Sequence, residues 1–169
     1  MNEDVRKALN KQINMEMFSS YLYLSMAADF LDKNFNGFAA WMGIQANEET
    51  AHAMKIFHYL SDRGAKIELK AIDEPQQTWA TPLDAFKDAL AHEKKVTASI
   101  GGIVDLAREK KDHATEAFLQ WFVTEQVEEE ATAEDNVVKM EMAKDNTGAL
   151  YMLDRELGGR PGSTGGQAE

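Results

Sequence analysis

Glu16, Glu49, Glu93 and Glu129 are the residues whose types and spacing point to chemistry. Each falls on an apolar stripe of three- and four-residue spacing that would otherwise read as a helix interior. The first stripe runs Leu9, Ile13, Glu16, Ser20, Tyr23, Ala27, Phe30, and the second Phe38, Met42, Gln45, Glu49, His52, Ile56, Tyr59. The third is Phe86, Leu90, Glu93, Thr97, Ile100, Val104, Ala107, and the fourth Leu119, Phe122, Gln126, Glu129, Ala133, Val137, Met140. All are apolar at both ends and polar near the middle. A lone ionised carboxylate in a core costs several kcal/mol or more, so four at matching depth demand compensation. A pair of divalent cations supplies it, and Glu16, Glu49, Glu93 and Glu129 with His52 and Gln126 suit a carboxylate-bridged di-iron or di-manganese site. Glu49 and His52 stand one helical turn apart, so both can reach one metal.

A solitary glutamate at a nominal core position usually signals a wrong helix phase. A solitary histidine is more often packed or exposed than a ligand, which is how His58, His92 and His113 read; Glu49 sets His52 apart. The string Glu125-Gln126-Val127-Glu128-Glu129-Glu130 is partly a solvated acidic face, with Glu129 singled out by sharing its stripe with Phe122 and Gln126. Tyr23, two turns after Glu16, is placed above the site, as a packed and hydrogen-bonded phenol or as an electron donor.

Helices must position these residues. Strand-like alternation is scarce, and the spacing predicts long helices over about Glu3–Asp32, Phe38–Arg63, Pro82–Lys111 and Ala114–Asn146, with a short one at Ala149–Leu157. Gly37 and Gly64 read as turn glycines, and Thr81 before Pro82 as a helix start. Short connections make the first two helices antiparallel, and likewise the next two. The segment of roughly 17 residues between the pairs is long enough to cross a bundle lengthwise. The expected fold is all-α: a four-helix bundle with one long crossover plus a short fifth helix, over residues 1–157. Residues 158–169, with five glycines and Pro161, read as a flexible tail.

Composition narrows the function. The 169 residues suit one domain, and the absence of cysteine removes thiolate sites and iron–sulfur clusters. A net charge of −11 argues against nucleic-acid binding and favours cations. No stretch has signal-peptide or membrane-span character, so the cytoplasm is the expected compartment, with no membrane partner.

The motifs Glu49-Thr50-Ala51-His52, His92-Glu93-Lys94-Lys95-Val96-Thr97 and Phe118 through Glu130, with Glu16 and Tyr23, resemble those of the non-haem ferritin family, prokaryotic type, in order and spacing over essentially the whole chain. The resemblance implies a ferroxidase that oxidises Fe(II) with dioxygen and stores ferric mineral. It implies one iron position at Glu16, Glu49 and His52, and a second at Glu49, Glu93 and Glu129 with Gln126 nearby. A third iron position, as in prokaryotic ferritins, would use Glu48, Glu125 and Glu128, with Glu129 as a further candidate. It also implies a homo-oligomeric hollow shell of about 24 subunits. Haem is not expected, because Thr50 follows Glu49 where bacterioferritins carry the haem-ligating methionine. The alternative reading is a di-iron oxidase or peroxidase that keeps its metals and stores no iron.

Overall fold

The computed structural model describes residues 1–161; of the tail expected at 158–169, residues 162–169 lie outside the described residues. The described residues form five α-helices and no strand: α1 (Glu3–Asp32), α2 (Asn36–Asp62), α3 (Pro82–Glu109), α4 (His113–Ala143) and α5 (Thr147–Gly158). None is long and apolar enough to cross a membrane. The expected four-helix bundle with a short fifth helix is the fold observed.

Three helix ends close in the same way. Asn34 (φ 63°), Gly64 (φ 60°) and Lys111 (φ 56°) take the left-handed conformation. The next amide then bonds five residues back, Phe35 N–H to Phe30 O at 2.9 Å, Ala65 to Leu60 at 2.9 Å and Asp112 to Ala107 at 2.8 Å, which satisfies carbonyls the helix leaves open. At the start of α3, Thr81 and Asp84 form a reciprocal cap, the Asp84 amide donating to Thr81 Oγ1 and the Thr81 amide to the Asp84 carboxylate.

Gly37 departs from its sequence reading. Asn34 takes the left-handed turn, and Gly37 is instead a point of close approach inside the first turn of α2: a Cβ there would lie 1.7 Å from the Asp154 carbonyl oxygen. From the other side, a Cβ on Gly158 would stand 2.7 Å from Gly37 Cα. This contact lets the buried Asp154 accept the Phe38 amide at 2.8 Å, so α5 caps the N-terminus of α2, where a carboxylate is favoured. Helix α5 starts at Thr147, two residues before the expected Ala149, so Gly148 lies inside it and Asn146 is its N-cap.

The crossover runs along α1 and is tied to it in register. Asn10 bonds the backbone of Lys66 and Glu68, Asn14 donates to Ala71 O, Ser25 to Gln76 O and Lys33 to Trp79 O. Every bond moves up both segments together, so the chain travels the length of the bundle and starts α3 antiparallel to α4's later return. Helix α1 packs on α2, α3 on α4, and the pairs meet through α1 and α3. No Cα of α2 comes within 8 Å of α4, and that wider seam is bridged by side chains, Tyr59 to Thr115 (2.9 Å) and Arg63 to Asp112 (3.1 Å).

The core is two apolar clusters, one at each end. Phe30, Phe38, Trp41, Met42 and Phe86 fill the end nearer α5; Leu9, Ile13, Ile56, Leu60, Ile100 and Phe122 fill the other. Between them lies a polar belt of buried residues: Glu16, Glu49, His52, Glu93 and Gln126. Two dry plugs therefore hold four helices in fixed register around a layer that must be compensated from within.

Candidate metal centre

Each carboxylate of the belt comes from a different helix, and all but Glu49 are oriented by a neighbouring donor. Glu16, from α1, is 1% exposed and accepts the Gln12 amide at 2.9 Å. Gln12 is itself held by Ser99 Oγ at 2.5 Å. Glu93, from α3, accepts the Tyr23 hydroxyl at 2.6 Å and the Gln126 amide at 3.3 Å. Glu129, from α4 and only half-buried, accepts the Gln45 amide at 2.9 Å. Glu49, from α2, has no such partner.

That absence is the most informative feature of the belt. Among the described residues, the buried side-chain oxygens and nitrogens without a hydrogen-bond partner are Glu16 Oε2, both oxygens of Glu49 and the Asn136 amide nitrogen. Three of the four are carboxylate oxygens on adjacent helices. One donor atom from each of Glu16, Glu49 and His52 lies within 4.8 Å of the others, and His52 Nδ1 is 3.8 Å from Glu49 Oε2. With the neutral imidazole's proton on Nε2, both of those atoms are acceptors.

Burial keeps it neutral, pushing the His52 pKa down to about 4 with help from the Lys55 charge. Burial also lifts Glu16 to about 7, the Gln12 amide opposing and the Glu93 charge adding. Glu49 is raised well above the carboxylate range by burial, then by Glu93 and Glu16. Burial and the Glu93 charge bring Glu129 to about 7 against the Gln45 hydrogen bond. Without a cation, the relief within reach is a proton kept on Glu49 and shared with Glu16. Unpartnered hard oxygens facing a neutral imidazole form a donor set for a divalent metal, and the metal's charge reverses the penalty that burial imposes.

The residues singled out from the sequence fall into three groups. Glu16, Glu49 and His52 come together as a donor set. Glu93, Gln126 and Tyr23 make a hydrogen-bonded group alongside, with Glu93 close enough to raise Glu16, Glu49 and Glu129 electrostatically. Glu129 is turned toward Gln45, so the second position of Glu49, Glu93 and Glu129 is not drawn into a three-ligand cluster. Glu48, Glu125 and Glu128 line a cavity of about 460 Å³ in the seam between α2 and α4, together with Glu129 and His52. The cavity and the donor set thus share a wall.

His92 is buried with Ser19 Oγ 2.6 Å from its Nε2, away from the donor set. Gln12 and Gln45, which orient Glu16 and Glu129, were not assigned roles from sequence. The spacing of Gln12 four residues before Glu16, one turn away on the same face, was the available signal. Trp121 and Phe122, edge-on to the His52 ring at 5.4 and 6.0 Å, fix the imidazole plane.

Residues 6–143 match the ferritin-like domain family. A bacterial non-heme ferritin of Staphylococcus aureus (strain MRSA252) is 39% identical over 160 residues, covering 95% of this chain and 96% of the relative. Among solved structures, an open pore ferritin from the hyperthermophilic archaeon Archaeoglobus fulgidus superposes with a TM-score of 0.94 at 46% identity, covering 95% of this chain and 99% of that one. A humanized archaeal ferritin superposes with the same TM-score, identity and coverage.

Proposed function

The chain belongs to the ferritin family, and from that premise we propose that it is an iron-storage subunit whose bundle core oxidises Fe(II) with dioxygen before the ferric product is laid down inside a homo-oligomeric shell of about 24 copies. The observation that carries the reading is the set of buried, unpartnered oxygens on Glu16 and Glu49 beside a neutral His52. A helical bundle built only for structure has no use for them.

Fe(II) is the substrate. Two ions give up one electron each, and dioxygen accepts both with two protons as hydrogen peroxide. Glu16, Glu49 and His52 would hold the first ion, and Glu49, with two unpartnered oxygens, could be shared with the second. Glu93 and Glu129 complete the second position. Glu129 must turn from Gln45 to do so, a rotation of one side chain in a seam with room for it. Oxygen ligands favour the ferric product. With a single imidazole on the pair and a second position completed only when Glu129 turns away from Gln45, ferric ions are released rather than retained.

Tyr23, whose hydroxyl donates to Glu93, holds that carboxylate's rotamer. Burial, followed by the Glu93 charge, raises the phenol pKa, so the phenol stays protonated. Glu48, Glu125 and Glu128, with Glu129, form the onward position between the centre and the mineral store. The cytoplasm is the compartment in which such a subunit serves.

The test is to load metal-free protein with Fe(II) under argon, admit air, and follow near-ultraviolet absorbance and iron content through size exclusion. Storage predicts hundreds of ferric ions travelling with a shell of about 450 kDa, built from about 24 copies of the 18.9 kDa chain. Uptake that stops at about two ions per chain on a small oligomer would instead indicate a di-iron oxidase or peroxidase.

A further inference from the structure

The acidic cavity beside the centre already holds a cation of the protein's own. Arg160, two residues beyond α5, returns to the seam and donates from Nη2 to both oxygens of Glu48 at 3.1 and 3.2 Å. Its Nη1 donates to Gln45 Oε1. Its guanidinium carbon lies 5.7 Å from the centre of the Trp41 ring. Gln45 uses its other end to hold Glu129, so one guanidinium is linked to a carboxylate of the cavity directly and to a second through a single amide. The remaining acidic lining is Glu125 and Glu128.

This placement is built in by α5. The Asp154 cap on Phe38 and the side-chain-free approach of Gly37 to Asp154 and Gly158 fix the end of α5 against the start of α2. The chain leaving that point has two residues in which to reach Glu48. Donating from Nη2 to Glu48 and from Nη1 to Gln45 at once, with the guanidinium over the Trp41 ring, uses the planar fork of an arginine, which a lysine ammonium lacks.

We propose that Arg160 is a competing cation for the acidic cavity, restricting divalent metal there and metering the passage of iron out of the paired site. This rests on the reading of the bundle core as an iron centre. A metal ion entering at Glu48 must displace the guanidinium from that carboxylate or lie within a few ångströms of a like charge. When Arg160 swings out, Glu48 is freed for metal, and Gln45 is freed to let Glu129 turn inward. Filling of the cavity and completion of the second iron position are then coupled through Gln45.

Isothermal titration of the metal-free, full-length protein with Zn(II), a redox-inert probe, reads this directly. In R160Q the cavity site, seen as an event beyond the paired sites, is expected to bind at least about tenfold more tightly than in the unmodified protein, since a nearby like charge has gone. R160K, which keeps the charge, stays within about threefold of the unmodified protein. An R160Q titration that superimposes on that of the unmodified protein overturns the role of Arg160. The failure of the iron-centre reading looks different: the two tight events would be missing from the unmodified protein, while the cavity event would still tighten in R160Q.

Discussion

Replacing Glu49 by glutamine is expected to lower the initial rate of Fe(II) oxidation by roughly 10²-fold or more, while making the metal-free subunit more stable. Both effects follow from one observation, the two buried Glu49 oxygens that no donor satisfies. An amide keeps the shape but cannot bridge two cations, and partners that merely orient a metal ligand are already worth about 10–100-fold. In the metal-free protein Glu49 is accommodated only by taking up a proton, whereas the amide N–H₂ donates toward Glu16 Oε2 without that cost. Removing an uncompensated buried acid and satisfying another is worth on the order of 2 kcal/mol. Stopped-flow oxidation and chemical denaturation of the metal-free E49Q variant check the two halves. Oxidation at the unmodified rate contradicts the assignment, and a less stable metal-free variant contradicts the account of the belt's electrostatics.

The second large effect is a reversal of pH dependence by metal. Glu16 and Glu129, at about 7, and Glu49, raised well above its ordinary value, hold protons in the folded chain that the unfolded chain has released above 4.5. A carboxyl raised on folding contributes stability that is lost as pH climbs through its folded value. His52 and His92, lowered to about 4 by burial, act with the opposite sign, but only below 6.5, where the unfolded imidazole takes up a proton. The carboxylates therefore dominate between about pH 6.5 and 8, and Glu16 and Glu129 alone are expected to cost the metal-free protein roughly 1–2 kcal/mol of stability across that window. A bound divalent metal needs its ligands deprotonated, so its affinity rises over the same window. Thermal melts at pH 6.5 and 8 should fall by several degrees in chelator and hold or rise with Zn(II). Parallel slopes with and without metal would show that the belt carboxylates are not the ligands.

Much of this was readable from the residues. A stripe apolar at both ends and charged in the middle has one physical resolution in a packed bundle, and its repetition on four helices set the fold and the depth of the site together. The crossover of roughly 17 residues could be judged by length alone to run lengthwise, although nothing in its own pattern revealed that Asn10, Asn14, Ser25 and Lys33 would tie it down.

What escaped the sequence depends on contacts between distant segments. Gly37 follows a polar turn and looked like its hinge, but it is needed because a backbone more than a hundred residues later lies against it. Arg160 stands in a Gly-Arg-Pro-Gly stretch whose composition suggests a loose tail, yet the docking of α5 delivers it to Glu48. The family resemblance implied a second iron position at Glu49, Glu93 and Glu129 with Gln126 nearby, but a likeness of motifs does not show that Gln45 holds Glu129 aside.

The central claim is that iron binds inside the bundle at Glu16, Glu49 and His52. Crystals of the metal-free protein soaked in Fe(II) under argon, with anomalous diffraction recorded across the iron edge, test it most directly. The account predicts an iron peak within bonding distance of Glu16, Glu49 and His52, and a second on the far side of Glu49 toward Glu93. Iron found only on the exposed acidic surface, with the belt carboxylates still unligated, would contradict it.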